Sequence, residues 1–183
     1  MTHPRMAHDG LPIRFESSAP LAVSQVLDEL FTWETTAVVV FHGSTRTIRV
    51  PIGSRTDWAS VPGWAMWLID PRQGSAAALV HDYCYRVLIP AGEMTYREAD
   101  LILFEALGAV RPAVKLPTRL LMWDAVRLAS VAVRPGGRIG LSEDLPRMLA
   151  VTAWGAPLAA FAVPLAIPIK TLAAINQRFG DSV

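Results

Sequence analysis

The chain has 183 residues, 52% of them hydrophobic and 18% charged, with a formal net charge of +1 at pH 7. That length suffices for one cored domain with an appendage, and so small a charge gives no argument for a nucleic-acid partner, which calls for a strongly basic face. The single cysteine, Cys84, excludes an intramolecular disulfide, so the fold rests on its core, as fits a reducing compartment.

Residues 1–20 contain three prolines and no periodicity, which predicts an irregular N-terminal arm. No long apolar run follows a basic cluster there, so no signal peptide is expected. From Leu21 to Val50 the chain reads as strands. Ala37–Phe41 is a β-branched and aromatic run, His42-Gly43-Ser44 offers a turn, and Thr45–Val50 alternates polar with apolar residues. Together these predict a β-hairpin. Pro51 to Gly74, with three prolines and three tryptophans, reads as a structured loop.

A helix is expected from Ser75, as N-cap, to about Ile89, before Pro90-Ala91-Gly92. Thr95-Tyr96-Arg97-Glu98 fits a capping box, in which Thr95 caps and Glu98 reaches back, and opens a helix to about Val110. Another helix is expected from about Pro117 to Val133, stopped by Arg134-Pro135-Gly136-Gly137. The expected organisation is an arm (1–20), an α+β domain (21–134) and an apolar helical C-terminal extension (135–183). The fold class is α+β: a small antiparallel hairpin or meander, then a mainly helical half with two antiparallel helices carrying the site.

Leu149–Ile169 is 21 residues without a charge, flanked by Arg147 and Lys170. Its length approaches that of a bilayer span, but Pro157, Pro164 and Pro168 interrupt it. A span, an interfacial segment and packing within the protein or an assembly all remain open for it. Residues 1–110 carry 8 basic and 12 acidic side chains and residues 111–183 carry 9 and 4. The basic second part suits an anionic lipid surface, an acidic partner or plain solvation.

The chemistry-bearing cluster is His81-Asp82-Tyr83-Cys84-Tyr85, with Asp100 on the next helix and Asp57 upstream. At helical spacing His81 lies in line with Ala77, Ala78, Cys84, Tyr85 and Leu88, and Asp100 with Tyr96, Leu103, Phe104 and Leu107, so both point inward. A carboxylate on a core stripe requires a partner, and the short connection, Pro90 to Met94, would place His81 beside it. That pair would be a base whose tautomer is fixed by an orienting carboxylate. Asp82 and Asp57 are hard oxygen ligands that suit calcium and not zinc.

Plainer roles exist for each residue. His81 would be a hydrogen-bonded core residue, Asp100 the partner of Arg86 or Arg97, Asp57 a turn cap, and the aromatic residues core packing. Cys84 beside His81 is a weaker nucleophile candidate. Ser60 lacks a nucleophile elbow, and Gly136-Gly137-Arg138-Ile139-Gly140 lacks the Lys-Ser/Thr ending of a phosphate loop.

Val50-Pro51-x-Gly53, Thr56-Asp57-x-Ala59-Ser60-Val61-Pro62, His81-Asp82-Tyr83-x-Tyr85, Ala99-Asp100 with Phe104 to Leu107, and Leu121-Met122-Trp123 together resemble an uncharacterised family carried by bacteriophages and prophages. The resemblance runs from Leu30 to about Arg134. It implies a phage particle, or the host cytoplasm or membrane periphery, as location, and other particle proteins as partners.

More locally, His81-Asp82-Tyr83-Cys84-Tyr85 with Asp57 and Asp100 is similar to the site of compact prokaryotic phospholipases A2. That likeness implies a phospholipid or other ester substrate, with His81, Asp100 and Tyr85 as catalytic group and Asp57 and Asp82 as calcium ligands. The sequence departs from those enzymes in having no disulfide partner for Cys84 and no glycine-rich calcium loop. The leading expectation is a calcium-dependent lipid-ester hydrolase. The alternative is a structural or assembly component of a phage tail or phage-like particle. A third class, a membrane-anchored binding module, rests on Leu149–Ile169 alone.

Overall fold

The computed structural model describes residues 6–16, 23–25, 33–56 and 71–153. Strands β1 (Arg14–Phe15), β2 (Val23–Gln25), β3 (Trp33–Thr35), β4 (Val39–His42), β5 (Thr47–Val50) and β6 (Arg55–Thr56) precede helices α1 (Pro71–Tyr83), α2 (Tyr96–Ala109) and α3 (Leu116–Val133). A further helix, α4, spans 141–153 among the described residues. The architecture is α+β, with two small antiparallel sheets, ordered β1-β4-β5 and β2-β3-β6.

The expected hairpin is β4–β5, with Phe41 opposite Ile48 and His42 opposite Thr47. Its alternation works as read: Ile48 and Val50 are buried while Arg49 is exposed. The turn is drawn against α2, because buried Glu105 accepts from the Ser44 N–H at 3.0 Å and its hydroxyl at 2.5 Å. Gly43 permits that approach. A Cβ there would stand 3.0 Å from the Phe41 ring edge and 3.2 Å from the Glu105 carboxylate.

Two elements were not anticipated. Within the lead-in expected to be irregular, Arg14–Phe15 pairs with β4, and within the expected loop Arg55–Thr56 pairs with β3. Strands of two residues carry no readable period, and partners distant in sequence create them.

Helix α1 begins at Pro71, ahead of the Ser75 cap read from sequence. Proline suits a first helical turn, where its missing N–H has no carbonyl to meet. The helix widens at Cys84–Leu88 into a π turn, closed by Ile89 N–H to the Cys84 carbonyl at 2.9 Å. Thr95 caps α2 as expected, accepting from Glu98 N–H at 3.2 Å. The second half of the capping box is different: the Glu98 carboxylate pairs with Arg46 at 2.9 Å, tying α2 to the hairpin.

Helices α1 and α2 are antiparallel neighbours. The Tyr85 and Tyr96 rings meet at the joint, Glu93 N–H reaches the Leu88 carbonyl, and His81 meets Asp100 further out along both helices. Helix α3 returns along α2, with Arg119 on the Phe104 carbonyl and Ser130 on Asp100. The main core lies between the hairpin and α1–α3, built on Phe41, Ile48, Val80, Leu103, Leu107 and Met122. Each such side chain contributes about 1.5–3 kcal/mol relative to an exposed one. A smaller cluster joins Phe104, Trp123 and Met148, so α4 packs on α2 and α3. Of Leu149–Ile169, only 149–153 lie among the described residues. No helix among the described residues is long and apolar enough to cross a membrane.

Candidate functional site

Apolar spacing on α1 and α2 turns one polar residue of each into the core. His81 and Asp100 are both fully buried, and His81 Nε2 lies 3.2 Å from Asp100 Oδ1. Tyr85 enters from the π turn, its ring 4.3 Å centroid to centroid from that of His81, and its hydroxyl donates to the same Oδ1 at 2.6 Å. The third helix supplies the rest. Ser130 Oγ lies 3.0 Å from Asp100 Oδ2 and 2.5 Å from the Tyr85 hydroxyl. Arg127, itself fully buried, brings its guanidinium to 3.9 Å from Oδ2.

Four groups that can donate converge on Asp100: an imidazole, two hydroxyls and a guanidinium. His81 must then carry its proton on Nε2 to donate to Asp100, a tautomer assigned from the hydrogen-bond pattern. The neutral ring is left with a lone pair on Nδ1. This atom is buried and has no hydrogen-bond partner among the described residues. Burial, then the charge of Asp100, pushes the Tyr85 phenol well above its ordinary range, so it stays a donor.

Arg127 is held as a buried cation must be. It bonds Asp144 at 2.9 Å and the Gly137 and Ile139 carbonyls at 2.7 and 2.6 Å. Asp144 also takes Arg97 at 3.0 Å. The option that Asp100 is the partner of Arg97 is thus overturned, since Arg97 turns to Asp144 and Glu143.

Asp82, one step round α1, is fully buried and accepts a hydrogen bond from the Thr56 hydroxyl at the end of β6. Asp57 lies outside the described residues, as do Ser60 and the Trp58, Trp64 and Trp67 side chains. Calcium takes six to eight oxygens. Asp82 fits as one hard ligand, but one of its oxygens is engaged by Thr56, and no group of three or more acidic, histidine or cysteine side chains able to hold a metal occurs among the described residues. The described residues alone do not make a calcium shell.

Cys84 is buried, and burial pushes its thiol up to about 12. It is a packed thiol, not an activated nucleophile. Sequence reasoning missed Ser130, Arg127, Asp144 and Thr56 as members of the network. Arg127 and Ser130 share a face of α3 with Trp123, and that pair of polar residues on an apolar stripe was the available signal.

The arrangement can do one kind of chemistry directly. A neutral imidazole oriented by a buried carboxylate can take a proton from water or a hydroxyl. The model of one protein family, described as a protein of unknown function (DUF1353), matches residues 33–126, just over half of the chain and within the stretch on which the resemblance above rests. No curated protein and no solved structure matches the chain.

Proposed function

The chain belongs to the DUF1353 family, which carries no assigned activity, and from the site itself we propose an ester hydrolase in which His81 is the general base. The observation that carries this reading is the orphaned Nδ1 of a histidine whose Nε2 is held by Asp100. In the proposed reaction Nδ1 takes a proton from water as the water oxygen attacks the ester carbonyl. The imidazolium is stabilised by Asp100, and its proton passes to the departing alkoxide, giving a carboxylic acid and an alcohol.

A lipid ester as substrate, the likeness to phospholipase A2, and a phage or prophage setting belong to the same proposal. So does a role for Leu149–Ile169 at a membrane periphery. Calcium bound with Asp82 and Asp57 would supply positive charge for the developing oxyanion. The test uses short-chain phosphatidylcholine, reading fatty-acid release. His81→Ala should lower the rate at least ~100-fold, the lower bound for a general base, with the fold retained. Equal rates in the two proteins would sink the proposal. Excess calcium after chelator should raise the melting temperature of the natural protein and not of Asp82→Asn.

A second reading has its own support. His81, Asp100 and Arg127 are all fully buried, as suits a polar network that locks a core. The chain would then be a structural or assembly component of a phage tail or similar particle. Under that reading His81→Ala lowers the melting temperature, no lipid ester is turned over, and calcium shifts nothing.

A further inference from the structure

We infer that Ser130 is a positioning residue for the His81–Asp100 pair, a role that rests on the reading of His81 as a base. Ser130 lies outside the family-matched residues 33–126. Its hydroxyl is fully enclosed and stands within hydrogen-bond distance of three groups: Asp100 Oδ2 at 3.0 Å, the Tyr85 hydroxyl at 2.5 Å and the Val126 carbonyl at 2.9 Å.

A serine inside a helix ordinarily spends its proton on the carbonyl one turn back. Here two protons, those of Tyr85 and Ser130, face more acceptors than they can fill. A contact of 2.5 Å between two hydroxyls requires a proton between them. The Tyr85 proton is given to Asp100 Oδ1 at 2.6 Å, so the proton in the hydroxyl–hydroxyl contact is that of Ser130. Ser130 therefore donates to Tyr85 and Tyr85 to Oδ1, one chain of hydroxyls that ends on the oxygen facing His81 Nε2.

Without Ser130, the Tyr85 hydroxyl loses the donor that keeps its proton aimed at Oδ1. Among the described residues the Arg127 guanidinium stands 3.9 Å from Oδ2, beyond hydrogen-bond range, so it supplies charge without fixing the carboxylate's rotation. Oδ1 would then be held less firmly on His81 Nε2.

The test is nitrogen-15 NMR of the histidine side chains in the full chain, with the His81 signals assigned by their loss in His81→Gln. In the natural protein His81 should be neutral, a single tautomer with its proton on Nε2 and slow to exchange. In Ser130→Ala that proton should exchange about fivefold faster or more, the factor for one ordinary hydrogen bond, with the other tautomer becoming visible. Ser130→Thr, which keeps the hydroxyl, should restore the original spectrum. Should Ser130→Ala fail to fold, Ser130→Cys, nearly the same shape with a weak donor, is read in the same way.

An unchanged tautomer and exchange rate in the folded variant would overturn the inference, as would failure of Ser130→Thr to restore them. A merely structural serine would move the melting temperature and leave the tautomer alone. The hydrolysis assay separates the two ideas. A tautomer shift in a protein that releases no fatty acid keeps Ser130 as a positioning residue and removes the hydrolase. Hydrolysis lost in His81→Ala, with both tautomer and turnover unchanged in Ser130→Ala, keeps the hydrolase and removes this role for Ser130.

Discussion

At the scale of single residues, the interior holds protons that alkaline water would remove. The Cys84 thiol, ordinarily at 9, is pushed up to about 12 by burial, and the Tyr85 phenol is raised above its ordinary 10 by burial and by Asp100. Both pKa values are higher in the folded chain, so above pH 9 the folded state binds more protons than the unfolded one. The stability from this difference is fully present below pH 9 and is lost as pH rises toward about 12. Thermal melts between pH 8 and 11 should therefore show a melting temperature that falls on the alkaline side, with a shallower slope in Cys84→Ala. A thiol reagent at pH 8 should label Cys84 only once denaturant has unfolded the chain. Fast labelling of the folded protein would contradict the burial argument.

At the scale of elements, the end of α3 is the most constrained joint. Gly137 donates to the Arg134 carbonyl at 3.0 Å and accepts from buried Arg127. A Cβ on Gly137 would fall 1.9 Å from the Ser130 carbonyl oxygen. That oxygen is backbone and cannot step aside as a side-chain tip would. Gly137→Ala must therefore push the 134–140 turn off α3, and the expected cost is about 3 kcal/mol, at the upper end for overpacking. Urea unfolding measures it. A loss under about 1 kcal/mol would mean that the turn gives way more easily than its contacts imply. The π turn at Cys84–Leu88 is the other departure from regularity. Such turns occur often where function is carried, and this one bears Tyr85.

At the scale of the whole molecule, buried charge joins parts that composition would separate. Asp144, at the start of α4, is the carboxylate partner of Arg127, and Arg127 is fully enclosed. Asp144→Ala leaves that cation with carbonyls and a distant Asp100. Breaking a buried pair from one side costs about 3–5 kcal/mol, or roughly 10 °C in melting temperature for a chain of this size. For the same reason a chain ended at residue 133 should not fold stably, although it contains the whole family-matched stretch. Circular dichroism of that fragment provides the check, and a cooperative melt like that of the full chain would refute it.

Local sequence signals determined the order of a hairpin followed by helices and the inward faces of His81 and Asp100 through periodicity, the Thr95 cap through a capping box, and the stop after α3 through its Pro-Gly-Gly breaker. These are local properties: spacing sets which side chains share a face, and a buried carboxylate demands a partner. Tyr85 beside Asp100 followed from a resemblance and not from spacing. What only the tertiary structure decided was non-local. The two-residue strands β1 and β6 exist because distant chain offers them hydrogen bonds. Arg97 chose Asp144 over Asp100 because α4 folds back against α2. Ser130 and Arg127 joined the site because α3 returns along α2. Periodicity tells a side chain which way to face, but the group it meets there is set by how the helices are brought together.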